Sequence, residues 1–336
     1  MIRLANRTEP IPEEVQKLVV QSSKTTKSSS SPRFVSADSF VCRYTWIPKL
    51  VRALNEDSSF LADKYDAMVK LGVGSNMVSA IKIWGKEMGI IEKVPGGGDY
   101  SVTDFGEEIF GEGDLDKFLE DQNTLWLLHW NLCAKKDPLH AWHYLINHWH
   151  KSDFSQSEVL AEFAMDDKST EASRKRHLDV FLRTYVGSSS AKNDVQEDNL
   201  DCPLVELNFI RKIGDRAIST NSDSGKREAI YSFRFEEKPE ISDEVFIYCL
   251  ADYWSKYRSS EKTLDFATLS TSPRSIGQVF KLPEAALRKT LEDLEDRSGG
   301  IFIFDDSAAI PRVSLDDKLP DPVQFLHSIY MIESDE

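Results

Sequence analysis

Between Trp46 and Thr103 the apolar period changes from helical to alternating, and that succession restricts the fold more than any other feature of the sequence. Trp46, Ile47, Leu50, Val51 and Leu54 recur with the spacing of one helical face. A second short helix fits Asp63 to Lys70 and stops at Gly72. In the third, Ser75 or Asn76 can cap the start by accepting a bond from an exposed backbone N–H, and Met77, Ala80, Ile81, Trp84 and Met88 form one apolar stripe. Val78, Ser79, Lys82 and Lys86 fall on its other faces. After Gly89, Ile90–Val94, the tip Pro95-Gly96-Gly97-Gly98 and Tyr100–Thr103 read as a hairpin. Helix, helix, turn, helix, hairpin is the order of a winged helix-turn-helix, whose third helix can enter a DNA major groove while the hairpin touches phosphates. Ser75, Asn76, Lys82 and Lys86 are the expected contacts of this block, although Glu87, Glu92 and Asp99 dilute its positive charge.

Two further blocks follow the same logic. Phe118–Ala134 and Pro138–His150 are crowded with aromatic and aliphatic side chains and predict buried helices. Ser157–Phe163 predicts a short helix, and Asp166–Ser169 can cap a longer one reaching Tyr185, with Leu178, Phe181, Leu182 and Tyr185 inward. Its outer surface carries Arg174, Lys175, Arg176 and Arg183, the densest basic cluster in the chain. Leu204–Ile213 and Glu228–Glu236 read as strands joined by the polar tip Ser219–Lys226, a second wing to which Arg211 and Lys212 add positive charge. In the third block, helices are expected over Asp243–Tyr257, Ser272–Phe280 and Pro283–Arg297, then a hairpin from Ile301–Phe304 and Ile310–Leu315. Glu284, Glu292, Asp293, Glu295 and Asp296 make that last helix acidic, which favours a protein-contact or structural module over a DNA reader.

The expected fold is therefore mainly α with small β-hairpins, an α+β chain of tandem winged helix-turn-helix modules joined by an aromatic-rich helical segment. Its expected divisions are a flexible, serine-rich leader over 1–33, module 1 over 34–120, a helical segment plus module 2 over 121–238, and module 3 with an acidic tail over 239–336. The 41 Lys and Arg against 56 Asp and Glu give a net charge of −15, so DNA binding requires positive charge concentrated on local faces. Four widely spaced cysteines with no Cys-x-x-Cys pair exclude a zinc ribbon or a disulfide scaffold. With neither a signal-peptide pattern nor an apolar run of spanning length, the expectation is a cytoplasmic protein without membrane contact.

Catalytic patterns are scarce. His129, His140, His143, His148 and His150 lie close together and could ligate zinc or manganese, but four tryptophans among them, Trp126, Trp130, Trp142 and Trp149, favour an aromatic core. Glu112, Asp114, Asp116, Glu120 and Asp121 could supply carboxylates for magnesium-dependent phosphodiester chemistry, while an acidic helix start is also what the macrodipole favours. The chain has no His-Asn-His nuclease pattern, no Gly-x-x-x-x-Gly-Lys phosphate loop and no Gly-x-Ser-x-Gly elbow.

Several segments together resemble a bacterial family of domains of unknown function associated with DNA phosphorothioation and encoded beside phosphoadenosine-phosphosulfate-reductase-like genes. They are Phe40–Trp46, Leu71–Val78, Phe118–Asp121 with Thr124–Trp130, Pro203–Leu207, Asp243–Phe246 and Ser272–Leu282. The resemblance implies a DNA-binding protein that nicks one strand with the help of magnesium or manganese, in a modification system that serves antiphage defence. No organic cofactor is indicated. The partners it implies are DNA, a cysteine desulfurase, an ATPase and an ATP-pyrophosphatase-like enzyme. The matching segments hold Glu120, Asp121 and His129 as catalytic candidates and Arg43 as a phosphate contact. The competing expectation is a non-catalytic winged-helix regulator or adaptor that recruits the modification enzymes.

Overall fold

The structure, a computed structural model, describes residues 40–166, 169–187, 202–217, 227–316 and 318–331. The serine-rich leader, most of the two polar stretches near 187–201 and 219–226, and the end of the acidic tail lie outside the described residues. The described residues form one compact α+β unit.

The first helices form where the periodicity places them. In α1 (Trp46–Glu56) the apolar stripe is buried. Asp63 starts α2 (Lys64–Leu71) by accepting bonds from the N–H groups of Tyr65 and Asp66, at 2.7 and 3.0 Å. Gly72 ends that helix at φ 66°, a left-handed conformation that favours glycine. α3 (Ser75–Glu87) begins at Gly74 without a side-chain cap, so neither Ser75 nor Asn76 serves as its expected cap. Val78 is buried with Ala80, Ile81 and Trp84, whereas the sequence pattern places it on an outer face. α1 and α3 approach so closely that a Cβ at Gly85 would lie 2.4 Å from a methyl carbon of Leu50. A two-stranded hairpin, β1 (Ile91–Lys93) and β2 (Tyr100–Val102), pairs Ile91 with Val102. Thr103 then caps α4 (Asp104–Phe110) through the N–H of Gly106.

The centre of the fold is α5 (Gln122–Cys133), which is buried along nearly its whole length. It starts later than the apolar run predicts. The Asp116 carboxylate accepts the N–H groups of Glu120 and Asp121, Leu119 adopts φ 61°, and Phe118 faces solvent. Asn131 donates to the Met88 carbonyl at 3.0 Å, and Trp130 donates to the buried Asp252 carboxylate at 2.8 Å, so one helix ties the first and third blocks together.

The next two blocks repeat one topology. α6 (His140–Asn147), β3 (Asp153–Ser155), α7 (Gln156–Asp166) and α8 (Glu171–Tyr185) precede the hairpin β4 (Ile210–Ala217) and β5 (Arg227–Phe233), in the antiparallel order β3-β5-β4. Thr170, rather than the Asp166–Ser169 run, caps α8. The expected strand from Leu204 starts instead at Ile210, because Pro203–Leu207 winds into a 3-10 turn ended by Asn208 at φ 48°. α9 (Asp243–Tyr257), β6 (Thr263–Asp265), α10 (Phe266–Thr271), α11 (Ile276–Val279), α12 (Glu284–Glu292) and α13 (Leu294–Arg297) lead to the hairpin β7 (Phe302–Asp305) and β8 (Arg312–Leu315), in the order β6-β8-β7. The expected helix over Ser272–Phe280 is thus cut short by Arg274, at φ 69°. α14 (Leu326–Tyr330) returns to the centre, where Tyr330 and Thr124 share a hydrogen bond of 2.8 Å.

Asp252 also accepts from Lys256 at 2.8 Å, so removing its carboxylate leaves a buried indole N–H unpaired. Asp252→Ala is expected to lower unfolding free energy by about 2 kcal/mol. Urea denaturation tests this, and an unchanged midpoint would show that the Trp130–Asp252 bond does not hold the blocks together.

Candidate nucleic-acid interface

The basic cluster of α8 stands on an anchored helix. Phe181, Leu182 and Tyr185 are buried, and His177 accepts the Ala141 N–H through Nε2 at 2.9 Å, satisfying a donor at the start of α6. Opposite this inner face, Lys175, Arg176 and Arg183 are exposed. Asp179 lies among them, so three cations face one carboxylate. Lys175 and Arg176 form no ion pair with another described residue. Arg174 is half-buried and donates to the Ser169 carbonyl, which gives it a structural task at the helix start.

The hairpin is less positive than its residue count promises. Arg211 pairs with Glu236 at 3.3 Å and Lys212 with Asp215 at 2.9 Å. Arg216 reaches both Glu158 and Glu228 at 3.3 Å. On α3, Ser75, Ser79, Lys82 and Lys86 follow one another at spacings of four, three and four, which aligns them along one side of the helix. Asn76 is exposed beside them, and the Lys82 ammonium lies 5.5 Å from the Tyr100 ring centre on the hairpin. Arg43 sits over the Trp46 ring at 5.4 Å and borders a cleft of about 820 Å³.

The three catalytic candidates occupy different environments. Glu120 is exposed, and Asp121 caps α5 by accepting the Asn123 N–H at 2.7 Å. His129 lies eight residues further on, about 12 Å along the helix axis, and is fully buried. Its Nε2–H donates to the Val279 carbonyl at 3.1 Å, leaving Nδ1 to accept the Tyr185 hydroxyl at 2.9 Å. Tyr185 Oη in turn accepts the Trp142 indole N–H at 3.0 Å. Burial pushes the pKa of His129 down to about 3, and the same cause holds His177 at about 3. Sequence reasoning missed His177 and this relay, because partners so far apart in the chain leave no local pattern.

Three other histidines pack as rings, His140 against Phe163 and His143 against His148, both at 4.5 Å between centroids, while His150 is exposed and His327 lies 2.9 Å from Glu108. Among the described residues no group of three or more His, Cys, Asp or Glu could hold a metal ion. The acidic loop does not fit magnesium, since both Asp116 oxygens accept backbone N–H groups, Asp121 caps a helix and Asp114 pairs with Lys117 at 3.5 Å. No described helix is long and apolar enough to cross a membrane.

The unfolded chain protonates these histidines near 6.5, whereas the folded chain keeps them neutral down to about 3. Unfolding therefore takes up protons between those values, and stability falls as pH drops through 6.5 by up to about 1.4 kcal/mol per unit for each histidine. Melting temperature is expected to decline from pH 7.5 to pH 5. His177→Gln, whose amide oxygen can accept the same N–H without titrating, should flatten that slope, and an unaltered slope would contradict the assignment.

Two solved structures share this architecture. A crystal structure of SspB bound to magnesium ion superposes with a TM-score of 0.75 at 21% identity, covering 89% of this chain and 88% of that one. A second SspB crystal structure gives a TM-score of 0.74 at 21% identity and the same coverage. No curated protein matches the chain in sequence. The model of the DUF4007 family, described as proteins of unknown function, matches residues 34–330, and the chain belongs to that family.

Proposed function

We propose that the chain is a DNA-binding protein of a DNA phosphorothioation system, acting in the step that nicks one strand. The observation that carries the reading is the repeated topology with its charge placement. In the second repeat an exposed basic helix comes before a hairpin whose second strand, β5, lies between β3 and β4, an order that suits a winged helix-turn-helix presenting α8 to a major groove. α3 and its two-stranded hairpin form a smaller version of the same unit. The third repeat is a poorer DNA reader: Lys289 pairs with Glu237 at 2.6 Å, Arg297 with Asp243 at 3.3 Å and Arg288 with Asp306. It serves as a structural or partner-facing module for the other enzymes of the system.

The phosphorothioation assignment is supported by the family and by the shared fold with SspB, one example of which binds magnesium. Magnesium is the ion this likeness brings, yet the acidic loop offers it no ligand set, and no cleavage step is assigned to Glu120, Asp121 or His129. That arrangement favours a second reading, an adaptor that docks DNA and recruits a nuclease.

Charge reversal of α8 tests the DNA-binding core of both readings. Lys175→Glu with Arg176→Glu is expected to weaken duplex binding and to reduce the slope of log affinity against log salt by about 0.9 for each phosphate that is no longer neutralised. Unchanged affinity would remove α8 from the interface. Supercoiled plasmid separates the two readings: intrinsic nicking, abolished by chelator, supports the enzyme, and a gel shift without relaxation supports the adaptor.

A further inference from the structure

A second basic surface borders the start of α1. The cleft of about 820 Å³ beside Arg43 is lined by Tyr44, Thr45, Lys49, Val73, Met77, Val205 and the turn that starts α3, among others. A shallower hollow of about 230 Å³, lined by Pro48, Arg52, Phe110, Lys117 and Phe118, shares Tyr44, Thr45 and Lys49 with it. The two hollows adjoin along the start of α1 as one groove-like surface, with Tyr44, Thr45 and Lys49 lining both. Arg43, Lys49, Arg52 and Lys117 border it; among the lining residues Glu206 is the one carboxylate, its oxygen accepting the Tyr44 hydroxyl, and Lys117 also pairs with Asp114 at 3.5 Å.

Two aromatic rings are presented there. Phe118 is 68% exposed and Tyr44 36% exposed, so both offer ring surface to a ligand. Gly74 opens the thirteen-residue α3 without a side-chain cap, and with Val73 and Met77 it brings that helix start to the lining of the cleft. Cations along a groove, aromatic faces at intervals and a helix start suited to phosphate are what single-stranded nucleic acid binds. The concave floor suits unstacked nucleotides, whereas a duplex is a rigid cylinder that reads best on convex helices such as α8.

We propose that this groove binds single-stranded DNA, with bases stacked on Tyr44 and Phe118 and the backbone running past Arg43, Lys49, Arg52 and Lys117. The proposal rests on the DNA-processing reading and gives it a strand-specific element: α8 would hold the duplex while the groove takes the displaced or nicked strand. Neither ring is signalled by the helical periodicity, since Tyr44 precedes α1 and Phe118 lies in the turn before α5.

Fluorescence anisotropy of the full chain with a labelled twenty-residue oligothymidine, and in parallel with a labelled duplex, tests this. Tyr44→Ala with Phe118→Ala is expected to weaken oligothymidine binding by about tenfold or more and to leave duplex binding unchanged. Tyr44→Phe, which keeps the ring and loses the bond to Glu206, should retain wild-type affinity. Lys49→Glu with Arg52→Glu should lower the affinity and its salt dependence together. Equal oligothymidine affinity for the alanine variant and the wild type would overturn the proposal, as would wild-type protein that binds duplex and no single strand. Loss of duplex binding on charge reversal of α8, with oligothymidine binding intact, would uphold both sites as separate.

Discussion

The fold is organised around a relay of buried hydrogen bonds that runs from the Trp142 indole through Tyr185 and His129 to the Val279 carbonyl. Each group is satisfied only if α5, α6, α8 and α11 keep their places, and in so buried a setting an unpaired member would cost far more than a surface bond. The relay also fixes which way α8 faces. With Tyr185 and His177 held inward, Lys175, Arg176 and Arg183 have no choice but to point outward. A core constraint thereby becomes a surface charge pattern, which is how a chain with a net charge of −15 keeps a cationic face.

The same relay explains why a histidine that looks chemical in the sequence behaves otherwise in the structure. His129 lies in a tryptophan-rich run beside acidic residues, a context shared by metal sites and by aromatic cores. Its surroundings decide between them: burial keeps the ring neutral, and both nitrogens are used in bonds between helices. Asp116 and Asp121 follow the same principle, their carboxylates spent on closing a turn and capping a helix.

Much of the architecture was legible because the relevant physics is local. The periodicity of α1, the helix start near Asp63, the stop at Gly72 and the glycine-tipped hairpin all depend on neighbours in sequence, and the structure has them where the pattern places them. What escaped is non-local. Leu119 and Asn208 take left-handed conformations that delay the starts of α5 and β4. β3 and β6 are three-residue strands that exist only because a distant hairpin pairs with them. The charge of the β4–β5 hairpin was overestimated for the same reason, since the carboxylates that neutralise Arg216 come from α7 and from the facing strand. The groove beside Tyr44 needed the 3-10 turn at Val205 and the loop at Phe118 to come together from distant parts of the chain.

The central claim is that a rigidly anchored α8 presents its outer face to duplex DNA. Hydrogen–deuterium exchange of the chain alone and with a saturating duplex tests it most directly. The account predicts added protection concentrated in Glu171–Arg183 and the adjoining β4–β5 hairpin, with the acidic face of α12 and α13 unchanged. Protection confined to α12 and α13, with α8 exchanging as in the free protein, would contradict it.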